Sequence, residues 1–581
     1  MNVWKSTGKL TKFRLNFWIV AFASTILWLV TIFLRDFAVQ ELIDKVFPSG
    51  SESFFDLNMR TLFILLSVFY ILGFVFKSIM DIVFSIFRYS AEVLMRKNMM
   101  SQLLRKPGTQ SLPVTSGESI SRFRGDVFNT SWFSSTLAFR TGFILYAVAS
   151  LVYMFFVNWK ATIFIFIPFI LILTIGLAWR KQFEKLRKAR RKSTSAVTDT
   201  LGKIFGSIQT FKVTNTEKHI VEHFKEKGDK RRFAWVKEQT FIAFVDSIFY
   251  ISIAIGMGII LLIVGRELNV GAFTVGNLYF FQMQLWWIGD FLWLMGDIVA
   301  LYQQSKVSYD RIMKLIQDHK DSVTHDDIVK HGPIYEWSEF PPYEPIIRTA
   351  EDKLVSLSAK NITFKYPGTE KGIEDVTITI PKGSVTVITG RIGSGKTTLL
   401  RALLGLVPID SGKLFWNDEE IPEATGFMKP PKVAYTPQIP YLFSETLHDN
   451  ILLNIPGESV NIDEAVKLAV FEQEVDSFDE KLETIVGPKG VRLSGGQKQR
   501  LAAARMFARE PEILVFDDLS SALDVETEQE LWKRLFTKDR TATCLAVSHR
   551  PIALHKADNV IVMKDGKIEA QGKLKELLRT N

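Results

Sequence analysis

Apolar and polar positions divide the chain into two unlike halves. Six long apolar runs occupy residues 15 to about 302. The first, Phe17 to Leu34, carries no charge; the second, Leu62 to Phe76, continues past Lys77 and Asp81 towards Phe87. The third is Thr141 to Val157 and the fourth Ala161 to Trp179. The fifth, Phe241 to Val264, is interrupted by Asp246, and the sixth, Gly276 to Val299, by Asp290 and Asp297. A helix needs about 20 residues to cross ~30 Å of hydrocarbon, so these runs predict six membrane-spanning helices rather than the buried helices of one soluble domain. Residues 319–353 are polar and then proline-rich, with Gly332-Pro333 and Pro341-Pro342-Tyr343-Glu344-Pro345, and read as a linker. From Leu354 short β-branched runs alternate with helical ones, which predicts an α/β domain. The expected organisation is a helical transmembrane domain at 1–318, a linker at 319–353 and an α/β domain at 354–581.

Charge orients the spans. Lys5, Lys9, Lys12 and Arg14 precede the first. Arg88, Arg96, Lys97, Arg105, Lys106, Arg122 and Arg124 lie between the second and third. Arg180-Lys181 and Arg187-Lys188-Ala189-Arg190-Arg191-Lys192 lie between the fourth and fifth. Lys and Arg favour the cytoplasmic side, so both termini and the two long loops are expected inside. The net charge of +9 is then mostly topology, and no nucleic-acid partner is expected. Hydrophobic residues are 47% of the 581, with 46 Phe, which counts against a soluble enzyme. The one cysteine, Cys544, excludes an intrachain disulfide or a cysteine metal site. The first apolar run is long enough to span and has no small-residue cleavage site after it, so no cleavable signal peptide is expected. The inner segments 78–140 and 180–240 are too long for turns. Each is expected to extend its spans as helices and to hold a short transverse helix, at Gly117–Asp126 and Gly206–Asn215.

The sixth span bears on cargo. Gln282, Trp286, Asp290, Trp293 and Asp297 share one helical face, with Gly289 and Gly296 on a neighbouring face where small residues allow close helix approach. Ionisable residues inside a span usually face a bundle interior or a water-filled cavity. Alternating carboxylates and indoles suit an amphiphilic cation, with Asp246 a second wall; pairing of the aspartates with another span is the alternative.

Gly390-Arg391-Ile392-Gly393-Ser394-Gly395-Lys396-Thr397 fits G-x-x-x-x-G-K-[ST] between a β-like run, Val385 to Thr389, and a helical one from Thr398. The glycines let successive N–H groups close on a phosphate, and the helix N-terminus adds partial positive charge. Lys396 is expected to reach the β and γ phosphates and Thr397 to hold Mg²⁺, with Thr398 beside it.

With further motifs in order, the chain resembles an exporter-type ABC transporter, one six-helix membrane domain fused to one ATPase domain. Phe364-Lys365-Tyr366-Pro367-Gly368 resembles the A-loop, which implies that Tyr366 stacks on adenine. Tyr435-Thr436-Pro437-Gln438 resembles the Q-loop, implying Gln438 near Mg²⁺. Leu493-Ser494-Gly495-Gly496-Gln497 matches the ABC signature, and Ile513 to Asp517 matches Walker B, with Asp517 a Mg²⁺ residue. Ser521-Ala522-Leu523-Asp524 matches the D-loop and Ser548-His549-Arg550 the switch. In the family the signature acts in trans, so the resemblance implies two chains, twelve spans and two ATP sites. Asp518 stands where the family usually has the glutamate that polarises the attacking water, and Pro488 where exporters usually have another glutamate. The implied chemistry is ATP hydrolysis with Asp518, His549 and Gln438 as catalytic residues. The implied function is efflux of an amphiphilic substrate by alternating access, by a homodimer in a prokaryotic plasma membrane. A weakly hydrolysing half of a heterodimer, or an importer of the same fold, are the alternatives.

Overall fold

The computed structural model describes residues 3–47, 57–106, 108, 115–270, 273–317, 323–335, 347–453, 455–457, 460–487, 490, 492–519, 523–536 and 542–580. They fall into two compact units. One comprises Met1–Arg96, Ile120–Met313 and Gln317–Ile334; the other comprises Lys97–Ser119, Lys314–Ile316 and Tyr335–Asn581.

The first unit is helical. After α1 (Val3–Phe13) come α2 (Leu15–Val46) and α3 (Met59–Arg105). A short α4 (Ser116–Ser121) runs through a π turn at Arg122–Asp126 into α5 (Val127–Val157). Then follow α6 (Trp159–Gly206), α7 (Ile208–Val213), α8 (Glu217–Val270), α9 (Val275–Ile316) and the single-turn α10 (His325–Ile328). Each of the six expected apolar runs lies inside one of the long helices α2, α3, α5, α6, α8 and α9. Among the described residues, Leu15–Val46, Met59–Arg105, Ser116–Val157 and Glu217–Gly265 are long and apolar enough to cross a membrane. Runs four, five and six include residues whose side chains are not among those described.

A short helix, α7, is present within the expected Gly206–Asn215, broken from α6 at Ser207 and followed by Asn215 at φ 53°, a left-handed position that asparagine tolerates. The one expected at Gly117–Asp126 is corrected: this stretch is the first turns of the long helix that becomes α5, because nothing in it stops propagation. Asn158 alone separates α5 from α6, its side chain accepting from the Ala161 N–H at 3.0 Å as a helix cap. Residues of the stretch expected to be a linker are tied to α1. Lys9 and Lys5 reach Asp326 at 2.9 and 3.4 Å, and the His331 ring lies 2.8 Å from the Lys9 carbonyl.

The second unit holds two sheets. A four-stranded antiparallel sheet has the order β2-β1-β4-β5, with β1 Ser356–Lys365, β2 Gly372–Pro381, β4 Ser411–Trp416 and β5 Glu419–Ile421. A six-stranded sheet has the order β10-β9-β3-β8-β7-β6. Its strands are β3 Val385–Gly390, β6 Val433–Thr436, β7 Ile513–Asp517, β8 Thr543–Val547, β9 Asn559–Lys564 and β10 Lys567–Gly572. All its pairings are parallel except that of β9 with β10. β7 and β8 are buried at every residue, as their unbroken apolar runs require in a sheet covered on both faces. Helix α11 (Lys396–Leu403) follows β3 and buries Leu399, Leu400, Ala402 and Leu403.

Candidate nucleotide site

The expected ATP-site residues gather at one edge of the parallel sheet. β6, β7, β8 and β3 are neighbours running the same way, so the segments that leave their carboxyl ends are also neighbours. Register pairs Ile388 and Asp517 with Val547, and Thr436 with Phe516. The phosphate loop, Gln438, Asp517-Asp518 and His549 all follow these ends, where open α/β sheets bind ligands.

The loop 390–397 is specified by its backbone. Gly390 has φ 135°, and a Cβ there would lie 2.1 Å from the Met563 carbonyl oxygen on the adjacent strand. Gly395 caps α11 at φ 99°. The Lys396 ammonium folds back on the Gly390 and Arg391 carbonyls at 2.8 and 2.9 Å, placing it at the mouth of the loop. Partial burial lowers its pKa, against the pull of Asp518 and Asp517. Ile392 is fully exposed at the loop tip, and the buried Ser394 holds the loop to Gly566 through its carbonyl at 3.1 Å. The Tyr366 hydroxyl lies 3.4 Å from Thr398 Oγ1, so the ring sits at the start of α11, in a T-shaped contact with Phe364 at 4.9 Å.

Thr397 Oγ1 donates to Asp517 Oδ1 at 3.0 Å, and the Tyr435 hydroxyl donates to Asp517 Oδ2 at 3.4 Å. Burial pushes the Asp517 carboxyl above its ordinary range; these hydrogen bonds work the other way. The Tyr435 hydroxyl is itself pushed up, first by burial and then by the Asp517 charge. Gln438 Nε2 donates to Asp518 Oδ2 at 3.4 Å. Asp518 has φ 55°, pinned by its N–H to the Val547 carbonyl at 3.0 Å. A left-handed non-glycine residue is a strained position of the kind that clusters at active sites, and aspartate is among the few that tolerate it. Burial raises its pKa too, against His549, Gln438, Arg550 and Lys396. His549 Nδ1 lies 3.4 Å from Thr389 Oγ1.

Tyr435 and Thr389 had no role assigned from sequence. Their signal was positional: both sit beside the carboxyl ends of site strands. Ser494 to Gln497 open the helix Gly495–Phe507 with a reciprocal cap, Gln497 N–H to Ser494 Oγ at 3.2 Å and Ser494 N–H to Gln497 Oε1 at 2.9 Å. Of the remaining motif residues, Ser521, Ala522 and Pro488 lie outside the described residues. Among the described residues no cluster of three His, Cys, Asp or Glu could hold a metal. The Thr397–Asp517 oxygens suit a small hard cation that completes its shell with water and phosphate oxygens.

On α9, Gln282 and Asp290 are exposed and Trp286 is 44% exposed, its ring 5.8 Å from Tyr250 of α8. Asp246 is exposed on α8. For Asp297 the alternative holds: it pairs at 2.8 Å with the buried Arg140 of α5, because an arginine so deep needs a carboxylate. The Trp293 and Gly296 side chains lie outside the described residues.

Two family models match: the ABC transporter transmembrane region over residues 18–286 and ABC transporter over residues 373–521. A probable multidrug resistance ABC transporter ATP-binding/permease protein of Bacillus subtilis is 29% identical over 522 residues, covering 84% of this chain and 81% of the relative. A putative export ATP-binding/permease protein of Rickettsia bellii is 25% identical over 497 residues, covering 84% and 82%. An ATP-dependent lipid A-core flippase of Salmonella typhimurium is 35% identical over 225 residues, covering 38% and 39%. A bacterial Atm1-family ABC exporter with ATP bound shares the fold, with TM-score 0.76, 20% identity, and coverage of 98% of this chain and 96% of that one. The chain therefore belongs to the ABC transporters: it is an exporter-type half-transporter, a multi-pass membrane protein that binds ATP and couples its hydrolysis to transport.

Proposed function

We propose that two copies of this chain form an exporter that moves an amphiphilic, positively charged substrate out across a prokaryotic plasma membrane by alternating access. In this reading residues 1–318 form the membrane domain, 319–353 a linker and 354–581 the ATPase, with both termini cytoplasmic. The observation that carries the ATPase part is the convergence of Lys396, Thr397, Gln438, Asp517, Asp518 and His549 at one sheet edge. Loop N–H groups and Lys396 hold the phosphates, and Tyr366 stacks on adenine. Thr397, Asp517 and Gln438 hold Mg²⁺, which when bound neutralises charge on the phosphate oxygens. Asp518 orients the attacking water and His549 faces the γ-phosphate. Ser494, Gly495, Gly496 and Gln497 close the partner's site with a second helix N-terminus. The exposed Asp290–Trp286–Gln282 face of α9, with Tyr250 and Asp246 of α8, supports the choice of a cation.

The strained placement of Asp518 also fits a second reading, a half that binds ATP but hydrolyses it weakly beside a different partner chain. The two separate on Mg-ATP turnover of the chain purified alone in lipid, next to Asp518→Ala. We expect wild-type turnover and its loss in the variant. Binding of ATP with no turnover by either protein overturns the homodimer in favour of a heterodimer.

A further inference from the structure

Glu528 is a buried acid that the reaction described above does not use. It sits in the helix Val525–Leu535, 1% exposed, and neither carboxylate oxygen has a hydrogen-bond partner among the described residues. It lines a small cavity of about 10 Å³ with Phe516, Leu523, Trp532 and Ser548. A carboxylate taken out of water needs a compensating charge, and apolar walls supply none. The charge within reach is Arg550, whose Nε lies 3.8 Å from Glu528 Oε2.

The two partners belong to different working segments. Glu528 is one turn into a helix whose N-cap, Asp524, ends the stretch matching the D-loop; Asp524 accepts from Thr527 N–H at 2.8 Å and Oγ1 at 2.9 Å. Arg550 follows His549 directly. Its N–H donates to Ser548 Oγ at 3.1 Å, and its guanidinium donates to the Leu523 carbonyl at 3.4 Å. Arg550 is thus bound through its main chain on one side of His549 and through its side chain to the D-loop segment and its helix. A shift of the 523–528 stretch pulls on Arg550, and Arg550 turns the peptide that carries His549.

We propose that the Glu528–Arg550 pair is a positioning bridge that sets the orientation of His549 from the D-loop helix. It transmits the placement of that helix to the hydrolytic site without touching nucleotide. The Arg550 side chain is partly exposed, so the charge of Glu528 and the reach of Arg550 both count towards the geometry.

The proposal rests on the reading of His549 as facing the γ-phosphate, and the experiment separates the two. Mg-ATP turnover of the full chain in lipid is measured for wild type, Glu528→Gln, Arg550→Gln, the double variant, Arg550→Lys and His549→Ala. We expect kcat to fall roughly 10- to 100-fold in each Gln single variant, the scale of a misplacement near 1 Å, with KM for ATP within about twofold. The double variant should fall no further than the singles, since both remove one interaction, and Arg550→Lys should regain part of the loss. Wild-type kcat in Arg550→Gln, or additive losses in the double variant, overturns the bridge. A fall in thermal midpoint with kcat unchanged likewise reduces the pair to scaffolding. If Glu528→Gln fails to fold, the Arg550→Gln and Arg550→Lys pair decides alone. Full turnover in His549→Ala removes the underlying role of His549 instead.

Discussion

Asp517 shows how one residue exchanges stability for function. Burial raises its pKa, so the folded protein would hold a proton there more readily than the unfolded chain does. The sign follows from linkage. A carboxyl raised by folding favours the folded state below the unfolded pKa, and loses that advantage as pH rises through the folded value. Near neutral pH the ionised Asp517 is therefore a net cost in the nucleotide-free protein. Asparagine keeps one oxygen to accept from Thr397, presents its NH2 to the Tyr435 hydroxyl, which accepts in turn, and removes the charge. We predict that Asp517→Asn raises the nucleotide-free thermal midpoint by about 2–4 °C, the shift expected of ~1 kcal/mol in a domain of this size, and removes the stabilisation by Mg-ATP. Differential scanning with and without Mg-ATP reads both; a lower midpoint without nucleotide contradicts the sign of the burial effect.

Among the elements, the Arg140–Asp297 pair ties α5 to α9 inside the helical unit. Arg140 is 5% exposed in its side chain and also donates to the Leu294 carbonyl, so it cannot turn to water when its partner is lost. Asp297→Asn therefore leaves Arg140 buried without its counter-charge. We expect a cost of about 2 kcal/mol or more, seen as a lower thermal midpoint in detergent, and a smaller cost in the double variant Arg140→Gln/Asp297→Asn. Equal loss in both would show that the pair's charges are not coupled. The same pair marks a limit of sequence reading. The phosphate loop is eight contiguous residues, and an apolar run declares its own length, so loop and helices were legible. Thr397 and Asp517 lie 120 positions apart, and only the order of motifs hinted that they meet. Arg140 with Asp297, Lys9 with Asp326 and Glu528 with Arg550 carry no local mark of their partners. At Gly117–Asp126 no local signal marks that the helix begun at Ser116 continues into the third span: it runs through Gly117 and Gly125, with open space around both.

At the scale of the whole molecule, one chain presents unfinished surfaces. The apolar face of α3 is broadly exposed, with Phe63 57%, Ile71 63% and Phe74 74% exposed, suiting lipid or another helix. Among the described residues, the N-terminus of the signature helix is capped by its own Ser494 and Gln497. If two identical chains share two composite sites, each site takes its phosphate loop from one chain and its signature from the other. A single defective loop then spoils one site and also the closure that the other depends on. We predict that dimers purified through two different tags, one on wild type and one on Lys396→Ala, turn over ATP at well below half the wild-type rate, while Lys396→Ala dimers are inert. Half the rate would mean that the sites work independently. Failure to isolate any doubly tagged dimer from co-expressed chains, with wild type monomeric in lipid, would mean that the chain's natural partner is a different half.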